Sequence, residues 1–240
     1  MSVGIKKVYS LLFIVYSFIF VLLTVHCTLL ISEAAPCYGT TMPEKHKFFT
    51  GYEAHTIFNR YLKNEMGEIR STQHFLLVSY GLLNWLSIDL KAGAGNIKQQ
   101  PRTSDEVDYR TNFAGGYGFR VKFYDRKKAK AVFGFQHISA HPRSTHLGDD
   151  KHQAIFDDWQ VSLLASYDFS KFTSYLGTRW SRVDYIHWNV GNRNRVMSDM
   201  TKDIGLIFGI DLPIREKVRI NLEGQVLDSE AFSFSVIYDF

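Results

Sequence analysis

From about Thr50 to the last residue, stretches of about ten residues alternate apolar with polar or small side chains, a turn signal follows each, and no helical period intervenes. A strand sends successive side chains to opposite faces, so each such stretch has one greasy face and one wet face. Leu86, Ile88, Leu90 and Ala92 stand against Ser87, Asp89, Lys91 and Gly93. Phe113, Tyr117, Phe119, Val121 and Phe123 stand against Asn112, Gly116, Gly118, Arg120 and Lys122. Trp159, Val161, Leu163, Ala165, Tyr167 and Phe169 form another apolar face, and the runs Ile204–Leu212 and Val218–Leu222 repeat the pattern.

The connections alternate in length. Short turns fall near Asn84, at Asp125–Lys128, near Ser170 and at Arg215–Lys217; long breaks fall at Gln99–Asp108, His141–Gln153 and Gly191–Met200. Short turns on one end and long loops on the other are the signature of an outer-membrane barrel, with the short turns in the periplasm and the loops outside. The segments predict an all-β fold, a transmembrane antiparallel up-and-down β-barrel of about ten strands, or eight if the weaker segments near Tyr52 and Tyr175 are not strands. An even count leaves both termini periplasmic. Aromatic residues make up 15% of the chain while the mean hydropathy is −0.14, as expected where apolar residues alternate with polar ones. The net charge of +4 is spread without a run of one sign, which removes nucleic acid as a partner.

Lys6 and Lys7 precede an apolar run from Val8 to Ile31, followed by Ser32-Glu33-Ala34-Ala35. This reads as a signal peptide over 1–34, cleaved after Ala34 or Ala35, with the barrel domain over 35–240; an uncleaved anchor is the rival reading of so long a run. Cleavage discards Cys27 and leaves Cys37 as the single cysteine, so no internal disulfide forms, and Cys37 has no expected role. At the other end, Phe232, Phe234, Val236, Tyr238 and Phe240 share one face. This strand resembles the C-terminal signal through which the barrel assembly machinery engages outer-membrane proteins, making that machinery an expected partner. A soluble barrel ending in such a strand would carry an aggregation-prone edge.

If the apolar faces meet lipid, the opposite parity gathers Asp89, Lys91, Arg120, Lys122, Gln160, Arg179, Asp203, Asp211, Arg219 and Glu223 inside the barrel. Charges of both signs in a narrow lumen must pair, so they predict a sealing network rather than a wide pore.

One segment departs from the pattern. Ala131, Phe133 and Phe135 share a parity that carries on to His137 and Ser139, putting two polar side chains on the lipid face near the outer headgroups. Side chains two apart on a strand stand side by side, so His137 is placed to act as general base for a Ser139 nucleophile. A loop centred near residue 147 brings Asp157 opposite His137 as the orienting acid, with Asp149, Asp150 or Asp158 as alternatives.

Gln136-His137-Ile138-Ser139 resembles the His-x-Ser motif of the lipid A 3-O-deacylases, outer-membrane serine hydrolases whose site faces the membrane. The resemblance implies an esterase acting on lipid A, with outer-membrane lipid or lipopolysaccharide as partner and no cofactor. The chain departs from that family in having Ala140 where an Asn usually follows the Ser. His137-Ile138-Ser139-Ala140-His141 with His146-Leu147-Gly148-Asp149-Asp150 is also similar to a stretch of a bacterial barrel family of unassigned function, which implies the barrel and no reaction. His137, His141 and His146 beside Asp149 and Asp150 match no established metal-ligand spacing, so no metal is expected. The other readings are a non-catalytic barrel serving envelope integrity or adhesion, and a narrow pore.

Overall fold

The computed structural model describes residues 36–63, 66–191 and 196–240; the predicted signal peptide lies outside them. Ten long strands follow one another: β1 (Phe48–Tyr61), β2 (Glu68–Leu83), β3 (Leu86–Gln100), β4 (Val107–Arg126), β5 (Ala129–Ala140), β7 (Asp150–Asp168), β8 (Thr173–Asn189), β10 (Ile204–Arg215), β11 (Val218–Val226) and β12 (Glu230–Asp239). Two three-residue strands, β6 (Thr145–Leu147) and β9 (Val196–Ser198), pair onto β7 and β8. Each long strand pairs antiparallel with its neighbours in sequence, and β1 closes on β12, so the sheet is a ten-stranded up-and-down barrel with no free edge among these strands.

Parity decides which side chains leave the wall. On β2, Leu76, Val78 and Tyr80 are exposed while Phe75, Leu77 and Ser79 are buried, and the same alternation runs along β3, β7 and β12. The outward belt is apolar and aromatic, as a lipid-facing surface requires. The connections of two to four residues after β2, β4, β7 and β10 lie at the end holding Phe48 and Phe240, whose rings stack at 4.2 Å; this is termed the terminal end.

The interior has two zones. Toward the far end it is an apolar core that includes Leu62, Phe75, Ile97, Tyr109, Ile138, Phe156 and Tyr185. Toward the terminal end it is polar. Lys91 meets Glu53 at 3.1 Å, Arg120 binds Asp89 through two nitrogens at 2.8 and 2.9 Å, and Arg179 binds Asp228 through two at 2.9 and 3.0 Å. Arg60 joins Asp158 at 3.4 Å and Asp228 at 3.8 Å. Such pairing is what lets charge survive in a narrow interior.

Eight of the ten residues expected in the lumen are there. Lys122 and Asp203 are not. Lys122 is half-buried at the terminal rim, beside a register shift that ends the β4–β5 alternation, and it pairs with Asp125 at 2.6 Å. Asp203 precedes the first residue of β10 and is exposed, so strand parity does not reach it. The length rule also fails once: β11 and β12 are joined at the far end by only residues 227–229, where Asp228 turns inward to the two arginines.

The N-terminal segment enters this polar zone. Residues 36–40 are buried without regular structure. Gln136 Nε2 donates to the Pro36 carbonyl at 2.8 Å, and the Cys37 backbone N–H donates to both Glu223 oxygens at 2.9 and 3.1 Å. Thr40 Oγ1 donates to Ser166 at 2.6 Å and Thr41 Oγ1 to Asp211 at 2.8 Å. Lys91 Nζ lies 4.0 Å from the centroid of the Tyr38 ring. Gly39 takes φ +66°, and a Cβ there would meet Tyr175 at 3.0 Å, so a glycine suits this turn on both counts. Cys37, given no role by the sequence, is part of this plug.

Candidate active site

β5 rises from the short turn after Arg126, and Ser139 lies ten residues beyond its first residue, Ala129. At about 3.3 Å per residue and a tilt of about 40°, that is about 25 Å of height, the thickness of the apolar band, so Ser139 sits at its far rim. Its parity is outward, as expected, and it is half-buried.

The register places Ser139 opposite Asp157 and His137 opposite Trp159. The expected pairing of His137 with Asp157 is therefore displaced by two residues, because the connection turns about residue 148 rather than 147. The displacement brings the serine itself onto the acid: Ser139 Oγ donates to Asp157 Oδ1. His137 remains near, with Nε2 3.7 Å from Asp157 Oδ1, and its ring stacks on Trp159 at 3.9 Å with Tyr117 on its other flank at 5.4 Å.

The imidazole that touches the serine belongs to His141, whose Nε2 lies 2.7 Å from Ser139 Oγ. His141 follows the end of β5 yet keeps the outward parity of 137 and 139. Its backbone is pinned: its N–H donates to the Phe113 carbonyl at 2.8 Å, and its own carbonyl accepts from Asn112 Nδ2 at 3.1 Å. A serine hydroxyl has one proton to give. While that proton is donated to Asp157, His141 Nε2–H is the donor to Oγ; turned toward a neutral His141 Nε2, the hydroxyl offers its proton to a base.

Strand β8 completes the patch. Asp184 pairs with Asp157 across β7 and β8, and Arg182 pairs with Trp159. Arg182 Nε lies 3.4 Å from Asp184 Oδ1, so an outward guanidinium stands beside the two carboxylates. The period-two pattern of β8 could have flagged Arg182 and Asp184 as polar residues on a lipid-facing parity; only the register shows that they flank Ser139. Among the described residues no three His, Cys, Asp or Glu side chains converge as a metal-holding group, and His146 lies apart, in a surface pocket with Arg110 and Arg143.

No protein-family model matches the sequence. No curated protein matches it either. Solved structures to which the chain is similar are bacterial outer-membrane barrels. The outer membrane protease OmpT of Escherichia coli is 11% identical with a TM-score of 0.44, over 84% of this chain and 99% of that one. The translocator domain of the autotransporter NalP of Neisseria meningitidis is 10% identical with a TM-score of 0.47, over 85% and 90%. Ail, the attachment invasion locus protein of Yersinia pestis, is 9% identical with a TM-score of 0.41, over 83% and 100%. The likeness is one of fold.

Proposed function

We propose that this protein is an outer-membrane barrel that hydrolyses an acyl ester of an outer-leaflet lipid, lipid A being the expected substrate, with Ser139 as nucleophile. The observation that carries the reading is the lipid-facing position of Ser139 Oγ between His141 Nε2 and the Asp157 carboxylate. A hydroxyl held this way at the rim of the apolar band meets the depth at which acyl chains join their headgroup.

In the proposed reaction Ser139 Oγ attacks the acyl carbonyl carbon while its proton passes to His141 Nε2. The tetrahedral intermediate collapses with cleavage of the bond to the lipid alcohol, and the imidazolium returns the proton to that leaving oxygen. Water then attacks the acyl-serine with His141 again as base, releasing a fatty acid. Asp157 accepts from the same hydroxyl and holds Ser139 Oγ in place beside His141. His137, assigned as base on the sequence reading, has its Nε2 3.7 Å from the same Asp157 oxygen that Ser139 binds and makes no contact with the serine, so the base role passes to His141. The filled interior favours this reading over a narrow pore, because apolar side chains pack the far end and the N-terminal segment sits among the polar side chains of the terminal end.

The test is the mass of outer-leaflet lipid from cells making the wild-type protein. Loss of one acyl chain, abolished by Ser139→Ala with the barrel still folded, supports the reading. An unchanged mass with wild-type protein overturns it and leaves a non-catalytic envelope role.

A further inference from the structure

The register of β4 against β3 shifts between Gly95 and Ile97, which face Asn112 and Tyr109, so three residues of β4 span two of β3. An extra residue of this kind reverses which side chains point outward beyond it. Phe113 is exposed, and strict alternation would turn Arg110 inward; instead Tyr109 is buried and Arg110 is exposed. The segment that follows β5 tracks the same irregular stretch. His141 N–H donates to the Phe113 carbonyl and Arg143 N–H to the Arg110 carbonyl, both at 2.8 Å. Arg110 and Arg143 are thereby brought together outside the barrel, where they line one open pocket of about 340 Å³ with Ser144, Thr145 and His146.

No acid lines this pocket, and neither arginine forms an ion pair among the described residues. The acids that precede Arg110 on the chain are engaged elsewhere. Asp108 meets Lys98 at 3.1 Å, and Glu106 meets Lys98 at 3.5 Å and also Arg70. Two guanidinium groups that share a pocket repel each other unless an anion lies between them. The donors suit a tetrahedral oxyanion: a planar guanidinium matches two phosphate oxygens at once, and Ser144, Thr145 and the His146 ring supply further N–H and O–H groups.

The pocket also lies at the right depth. Arg143 is four residues beyond Ser139, at most about 13 Å of extended chain, on the side away from the apolar band. A lipid whose acyl ester reaches Ser139 at the rim of that band carries its headgroup at this height. We infer that the pocket of Arg110, Arg143 and His146 binds a phosphate monoester on the headgroup of an outer-leaflet lipid, and so fixes which ester is presented to Ser139. The inference rests on the esterase reading for the role of the bound lipid; the affinity for a phosphorylated headgroup comes from the arginines alone.

The experiment uses folded Ser139→Ala barrel purified in detergent, so that no lipid is turned over, and counts bound lipid by native mass spectrometry. The probes are lipid A carrying its phosphates, the same lipid with the phosphates removed, and inorganic phosphate as a competitor. The phosphorylated lipid is expected to bind about tenfold tighter or more than the phosphate-free one. Arg110→Gln with Arg143→Gln, both at exposed positions, is expected to abolish that difference while leaving the affinity for the phosphate-free lipid unchanged. Equal affinity for the two lipids, or a preference that survives the paired substitution, overturns the inference. Displacement of phosphorylated lipid A by an equal concentration of inorganic phosphate also overturns it and assigns the pocket to a soluble anion. No catalysis enters these affinities, so they hold or fail independently of the acyl loss that tests Ser139.

Discussion

The layer that divides the polar zone from the apolar core rests on Arg179 and Asp228, and a double-mutant cycle across that pair tests whether it is structural. The guanidinium grips the carboxylate through two nitrogens at 2.9 and 3.0 Å, and both side chains are fully buried. Removing one partner of a buried pair costs about 3–5 kcal/mol, because the remaining charge is stranded. Arg60 still faces Asp228 at 3.8 Å, which places Arg179→Met at the lower end, about 3 kcal/mol. Asp228→Asn strands Arg179 and costs a similar amount. The double variant strands neither charge and is expected to lose about 3 kcal/mol less than the sum of the singles. Urea unfolding in lipid vesicles, followed by the fluorescence of the four tryptophans, measures all three. Additive single effects, or an Arg179→Met within about 0.5 kcal/mol of wild type, would refute the reasoning.

Other outcomes follow from the same geometry. Gly205→Ala puts a Cβ 1.8 Å from Asp228 Oδ1, so it is expected to destabilise the barrel about as much as Arg179→Met, read as a lower urea midpoint. Phe240→Ala removes the stack on Phe48 at 4.2 Å and the edge contact with Tyr238 at 4.8 Å, and is expected to lower the yield of folded barrel in cells, read by heat-modifiable electrophoresis. In planar bilayers the wild type is expected to show no channels; stable openings would contradict the sealed interior. His141→Ala is expected to lower deacylation at least 10²-fold and His137→Phe, which keeps the stack on Trp159, much less, read as rates on purified lipid.

The barrel was legible because its code is local. Period two and turn residues are written residue by residue, so the outward faces of β3, β4, β7 and β10, the short turns and the outward parity of Ser139 follow from the sequence. The interior was less legible. A barrel this narrow must fill its lumen with side chains, so inward positions such as Phe75, Leu77, Ile138 and Leu164 are apolar, against a simple rule of apolar outside and polar inside. Residues 36–43 have no period to read; their burial depends on partners as distant in sequence as Ser166 and Glu223. The register around the candidate residues was legible to within two positions. Register depends on the length and shape of the loop after β5, and a shift of two residues decides whether Asp157 faces His137 or Ser139. His141 escaped notice as the partner of Ser139 because it lies past the strand, where parity no longer gives direction.

The central claim is that Ser139 is a nucleophile aimed at the outer leaflet. Mass spectrometry of outer-leaflet lipid from cells making wild-type protein, or folded Ser139→Ala protein at equal abundance, tests it most directly. The account predicts a species lighter by one acyl chain in the first and none in the second. A full-length lipid in both, or the same loss in both, would contradict it.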